Sequence, residues 1–138
     1  MDLEQLRAFF ALSPYMRDLG VEAVSADGGR VATVLVLASR HQQHTGQTHA
    51  GVMAAMADHS MGSAAQSLAP SGLWAITAEL KTSQLRPARG QRLVCEAHVI
   101  KAGRTLSFTE AEVFAETDGQ RTLVMKASAT MALVPKQD

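Results

Sequence analysis

The stretch over residues 51–68 constrains the fold more than any other part of the chain. It holds no proline and is dense in Ala and Met. That composition predicts a helix of about four to five turns at 3.6 residues per turn. Its apolar residues do not keep to one stripe, and a helix apolar almost all round is a buried one. Other elements must therefore wrap it, and the small Ala side chains let them approach closely.

The remainder of the chain supplies that wrapping. Pro70-Ser71-Gly72 marks the helix exit. Beyond it Trp74, Ile76, Ala78 and Leu80 alternate with Thr77, Glu79 and Lys81, and Leu93, Cys95, Ala97 and Val99 alternate in the next segment. Ala102-Gly103-Arg104 joins that segment to a strand over 105–115. Asp118-Gly119 is the strongest hairpin signal in the chain, and it leads into a period-two run through Leu123, Met125, Ala127, Ala129, Met131 and Leu133. Upstream, Leu3, Leu6 and Phe10 fall at helical spacing over 2–12, and Ser13-Pro14 ends that helix. Asp27-Gly28-Gly29 is a turn between β-like runs over 20–25 and 30–37. The order is helix, two strands, long helix, four strands. It predicts an α+β fold in which one antiparallel sheet of about six strands wraps one central helix. The 138 residues fit a single domain spanning 1–138.

Composition removes whole classes of function. Thirteen basic residues balance 13 acidic ones, whereas phosphate neutralisation on nucleic acid needs a cationic surplus. Apolar residues make up 46%, which excludes disorder. One Cys excludes a disulfide framework and suits a reducing compartment. The N-terminus carries acids where a signal peptide would be basic, and no apolar region follows. Residues 52–69 are interrupted by Asp58, His59, Ser60 and Gln66, against the roughly 20 predominantly apolar residues of a spanning helix. These readings predict a cytoplasmic protein with no membrane or nucleic-acid partner.

The central helix contains one ionisable acid, Asp58. Burying an isolated carboxylate costs several kcal/mol, so it must be paired, protonated or facing a cleft. A solvated or hydrogen-bonded helix Asp is the plain reading. A nucleophile or general base in a crevice is the functional one. His49-Ala50-Gly51 opens the same helix, where the first N–H groups lack internal partners and the dipole end is positive. A carbonyl oxygen placed there is polarised as in an oxyanion hole. Asp58 lies eight residues after Ala50, about 12 Å along the axis. One helix therefore cannot bring both groups to one reacting atom. Two antiparallel helices in a dimer can, so catalysis across a subunit interface is the geometric prediction.

The run His41-Gln42-Gln43-His44-Thr45-Gly46-Gln47-Thr48-His49-Ala50-Gly51, followed by Asp58, resembles the hot-dog-fold acyl-CoA thioesterases. Its closest likeness is to their phenylacetic-acid-degradation branch, in the 4-hydroxybenzoyl-CoA thioesterase superfamily. Gln43, Gly46, His49, Gly51 and Asp58 fall in register with that branch. Supporting pieces run from Pro14-Tyr15-Met16-Arg17-Asp18-Leu19-Gly20 through Leu85-Arg86-Pro87-Ala88-Arg89-Gly90 to Lys101-Ala102-Gly103-Arg104-Thr105. The resemblance implies a hot-dog fold and hydrolysis of an acyl-CoA thioester to a carboxylic acid and CoA. In it the Ala50 N–H binds the thioester carbonyl, and Asp58 of the partner attacks it or activates a water. Gln43 orients the carbonyl or the water, and Thr77 helps to hold that water. His49, Gly46 and Gly51 shape the loop and helix start. Ser83, Gln84, Arg86, Arg89, Lys101, Gly103, Arg104 and Thr105 line the route for pantetheine and the nucleotide phosphates. No metal or redox cofactor is required, coenzyme A entering only as part of the substrate. The implied assembly is a homodimer with shared sites, paired again into a homotetramer.

One position departs from the branch: its usual His-Gly-Gly is His-Ala-Gly here. If position 50 needs a positive φ, Ala costs about 1 kcal/mol. If its angles are helical, Ala costs nothing and still donates its N–H. Plainer readings stand beside several other residues. His41, His44 and His49 lie on a loop without the i, i+4 pair of the zinc proteases, so they make a poor metal set. Asp58 and His59 are helix neighbours and do not face each other. Cys95 reads as a buried small residue and the seven Met residues as filler. Two rival functions remain open at this point. One is a hot-dog dehydratase or hydratase, which needs a catalytic His. The other is a non-catalytic acyl-CoA sensor or binding protein, which has no use for a desolvated acid.

Overall fold

The computed structural model describes residues 1–137. Helix α1 (Leu3–Ala11) starts at Asp2, whose carboxylate accepts from the Gln5 N–H at 2.8 Å. The Gln5 side chain returns a bond to the Asp2 N–H at 2.9 Å, completing a capping box. Ser13-Pro14 does end α1, but it also begins a second helix that the sequence reading lacks. In α2 (Pro14–Leu19) Ser13 caps the Met16 N–H at 3.3 Å, and proline occupies the first turn, where its missing donor costs nothing. Gly20 closes α2 at φ +93°, in the left-handed region.

Strands β1 (Glu22–Asp27) and β2 (Arg30–Val36) pair across Gly28-Gly29. A loop containing one 3-10 turn (Ser39–His41) leads to α3 (Ala50–Leu68). Four strands follow: β3 (Leu73–Gln84), β4 (Arg92–Ala102), β5 (Leu106–Thr117) and β6 (Gln120–Pro135). All pairings are antiparallel, in the order β1-β2-β4-β5-β6-β3. The β5–β6 hairpin turns on Asp118 (φ +49°) and Gly119 (φ +78°), as its Asp-Gly pair predicts. The six-stranded sheet packed on α3 is the expected α+β hot-dog architecture.

Met56, Ala57, Met61 and Ala64 of α3 are buried together with Leu93, Val113, Met125 and Met131 of the sheet. Met suits this junction because an unbranched side chain fills irregular gaps between a helix and a curved sheet. Two buried hydroxyls here are satisfied in a chain: those of Thr33 and Ser60 lie 2.8 Å apart, and Ser60 donates to the Met56 carbonyl at 2.7 Å. Cys95 lies against this pair, fully buried, and burial pushes its thiol up to about 12. It is a structural small residue, as its alternation predicts.

Three expectations change. First, α3 is not covered all round. Gly51, Ala54, Ala55, Asp58 and Gly62 recur at helical spacing as a stripe left exposed or half-exposed. Second, β3 does not hold one alternation. A bulge at Ala78 inserts one residue between the Thr77–Met131 and Glu79–Thr130 pairs, which reverses the faces. Thr77 and Leu80 therefore share the helix side, while Ile76 points away from it. Third, a bulge at Val124 turns Leu123 to pair with Phe114, so the period-two run of β6 begins only at Met125.

Candidate active site

The loop before α3 is held by its own backbone. The Gln43 N–H donates to the Gln47 carbonyl at 2.8 Å and the Gly46 N–H to the Gln43 carbonyl at 3.0 Å, with Gly46 at φ +83°. The Gln43 side-chain oxygen accepts from the Thr45 N–H. His41 pins the loop to α2. Its Nδ1 accepts from the Ala38 N–H at 3.0 Å and its Nε2 donates to the Leu19 carbonyl at 2.8 Å, so both ring nitrogens are engaged. Arg40 reinforces the same end through the Asp18 and Leu19 carbonyls. His49, Ala50 and Gly51 then start the helix. His49 caps it, its Nδ1 accepting from the Gly51 N–H at 2.8 Å. A Cβ on Gly51 would lie 3.0 Å from that nitrogen, so glycine there makes room for the capping ring.

Among the described residues the Ala50 N–H has no hydrogen-bond partner, and Ala50 is exposed. Its φ is not positive. The Ala in place of the usual Gly is therefore accommodated without backbone strain. Gln43, Ala50, Gln84 and Arg86 line one crevice of about 340 Å³, together with Thr48 and Met53. Arg86 is fixed by a bond from its guanidinium to the Leu123 carbonyl at 2.8 Å. Gln84 lies over Met125, with its Nε2 3.1 Å from the Met125 sulfur. Thr48 and Met53 escape sequence reasoning, although Met53, three residues after Ala50, shares its helix face.

Asp58 does not line this crevice. It lies half-exposed two turns along α3, where the Thr77 hydroxyl donates to its Oδ1 at 2.7 Å. Thr77 belongs to β3, the edge strand, and sits just before the bulge. His59 turns the other way, as helix neighbours must. Its ring stacks on Phe9 at 5.9 Å and meets the edge of Phe10 at 4.5 Å, which fastens α1 to α3. Burial lowers the His59 pKa, against a smaller opposing pull from Asp58. Its buried Nε2 has no partner among the described residues.

The other residues singled out from sequence lie elsewhere. Ser83 is on the sheet face away from α3, beside Lys81 and Lys126. Arg89 lies near Thr117 and Asp118 at the β5–β6 hairpin. Lys101, Gly103, Arg104 and Thr105 are at the β4–β5 turn. By strand rise that turn is roughly 30 Å from the Gln84 end of the sheet. A Cβ on Gly103 would lie 2.5 Å from the Leu106 carbonyl, to which the Gly103 N–H donates at 2.8 Å. The hairpin itself thus demands glycine there. One chain therefore gathers Gln43, Ala50, Gln84 and Arg86 in one place and Asp58 with Thr77 in another.

Residues 45–122 match the thioesterase superfamily. The chain is similar to human acyl-coenzyme A thioesterase 13, at 27% identity over 119 residues covering 85% of this chain and 84% of the human protein. It is also similar to the crystal structure of a thioesterase family protein from Silicibacter pomeroyi. That match has a TM-score of 0.92 and 32% identity, and covers 96% of this chain and 98% of the other. The E. coli PaaI protein from the phenylacetic acid degradation operon shares the fold, with a TM-score of 0.86 at 18% identity over 97% of this chain and 94% of its own.

Proposed function

Because the chain belongs to the thioesterase superfamily, we propose that it hydrolyses an acyl-CoA thioester, releasing a carboxylic acid and CoA. One observation carries this reading: the unpartnered Ala50 N–H opens into a crevice at the positive end of the same helix that presents Asp58. In the proposed reaction the thioester carbonyl oxygen accepts from the Ala50 N–H. That contact strengthens as the oxygen becomes an oxyanion. Gln43 orients the same oxygen or the water. Asp58 takes a proton from the attacking water, or itself attacks the carbonyl and is regenerated by hydrolysis. Thr77 holds the carboxylate and the water. The thiolate leaves on the pantetheine arm, for which Gln84 and Arg86 form the entrance, and His49 and Gly51 keep the helix start in shape.

The two halves meet in a homodimer. β3 is an unpaired edge with Ile76 51% and Leu80 38% exposed, and the small-residue stripe of α3 lies beside it. An unpaired edge is a template for pairing with another chain. Antiparallel pairing of two β3 strands about Leu80 and Lys81 sets Thr77 opposite Gln84 of the partner subunit. That register carries Asp58 to the partner's crevice. It also gives Lys101, Arg104 and Thr105 a role toward the CoA phosphates only across subunits, with Ser83 and Arg89 further out. In this reading residues 1–138 are one domain of the phenylacetic-acid-degradation branch, acting in the cytoplasm as a dimer of dimers. No helix among the described residues is long and apolar enough to cross a membrane. A thiol-release assay with purified Asp58→Asn over a panel of acyl-CoAs tests the chemistry. Turnover falls by about 10²–10⁴, the usual contribution of a positioned base, with folding intact. Near-wild-type turnover would overturn the assignment.

A further inference from the structure

At the edge of the sheet remote from β3 lies a second cavity, of about 390 Å³, between α1, the end of α2 and β1. Its floor is apolar, made by the buried Phe10, Val21 and Ala23. Its rim carries Arg7, Arg17 and Glu22. Arg7 is laid across β1 by a bond from its Nε to the Ala23 carbonyl at 3.3 Å. Among the described residues that is its only side-chain hydrogen bond, and the Arg17 and Glu22 side chains make none. Two guanidinium groups and one carboxylate thus line the same space without pairing, above an apolar floor. The volume is in the range of small-molecule sites, which combine apolar walls with a few polar groups.

We infer that this cavity is a binding site for a small monocarboxylate with an apolar body. A guanidinium offers paired donors matched to a carboxylate. The two arginines outweigh Glu22, so the rim favours a net anion over a zwitterion or an amine. The apolar body lies on Phe10 and Val21. The hydrolysis proposed above releases molecules of this class, but the binding does not depend on turnover. The β3 dimer leaves the cavity open, because β1 is the opposite edge of the sheet.

Hexanoate titrated into the full-length ¹⁵N-labelled protein is the test, with hexan-1-ol and hexylamine as controls. Hexanoate should give saturable amide shifts at Ala11 and Val21–Ala23, and the controls should not. Arg7→Ala with Arg17→Ala should weaken binding by about tenfold or more, the scale of one charge-assisted hydrogen bond. Glu22→Gln should tighten it by about threefold, a sign that a damaged fold would not produce. The proposal is overturned if hexan-1-ol binds equally, if the double variant leaves affinity unchanged, if Glu22→Gln weakens binding, or if the shifts map to the Gln43–Ala50 crevice instead. None of these readouts uses thioester hydrolysis, so a failure here and a failure of the hydrolase reading are separable.

Discussion

If Asp58 serves the crevice of the other subunit, two inactive variants should repair each other. Asp58→Asn removes the acid, and Gln43→Ala removes the orienting amide from the crevice. Each homodimer then lacks one component in both sites, and the second loss is about 10²–10³-fold by analogy with an oxyanion donor. In a hybrid dimer one site inherits both defects and the other inherits neither. Random exchange of equal amounts makes half the dimers hybrids, and each hybrid has one intact site of two. Recovery should therefore reach about a quarter of wild-type turnover, as an isologous two-fold interface dictates. The separation of about 12 Å along α3 is what forbids the same result inside one chain. The assay is thiol release after co-refolding equal amounts of the two variants, with sedimentation to confirm dimers. Recovery no greater than the mean of the two variants, in dimers that have exchanged, would refute the cross-subunit geometry.

Two further outcomes follow from local structure. Gly51→Ala places a methyl 3.0 Å from the His49 Nδ1 that caps α3. Loss of that cap should cost about 0.5–2 kcal/mol in urea unfolding, with a drop in turnover because the Ala50 N–H loses its fixed direction. His59 has a folded pKa below its ordinary 6.5, chiefly through burial. Below pH 6.5 the unfolded chain binds a proton that the folded chain refuses, so stability is full above 6.5 and declines as pH falls toward the folded value. His59→Phe should flatten that decline, read as the change in urea midpoint between pH 7.5 and 5.5. An unchanged slope would show that the ring is not the titrating group.

Local chemistry made the turns and α3 legible. Asp118-Gly119 and Gly28-Gly29 announce their positive φ values directly. The Ala- and Met-rich run forms the long helix within one residue of its expected start. The bulges at Ala78 and Val124 were not legible, because a bulge is a property of the pairing between strands, and the residue types continue an apparent alternation across the point where the faces reverse. Helix α2 hid behind Ser13-Pro14, a pair that serves equally as an end and as a start. In the site, Gln43 and Ala50 line one crevice, although only the resemblance, and no spacing, singled out Gln43. Lys101 and Arg104 do not join them, since a basic residue carries no sign of which end of a sheet it will occupy.

The spacing of Ala50 and Asp58 on one helix also sets a phase. Eight residues at 100° each leave the two positions about 80° apart around the axis. The Ala50 and Asp58 side chains thus leave the helix in different directions, set by the helix alone. Substitutions along α3 change volume or charge, but one inserted or deleted residue between these positions rotates Asp58 by about 100° away from Thr77. The loop before the helix tolerates no such shift either, because His41, Gln43 and Gln47 hold its register through paired backbone bonds. One inserted or deleted residue between His41 and Asp58 should therefore cost most of the turnover, read by thiol release, while the fold survives in the far-UV circular dichroism spectrum.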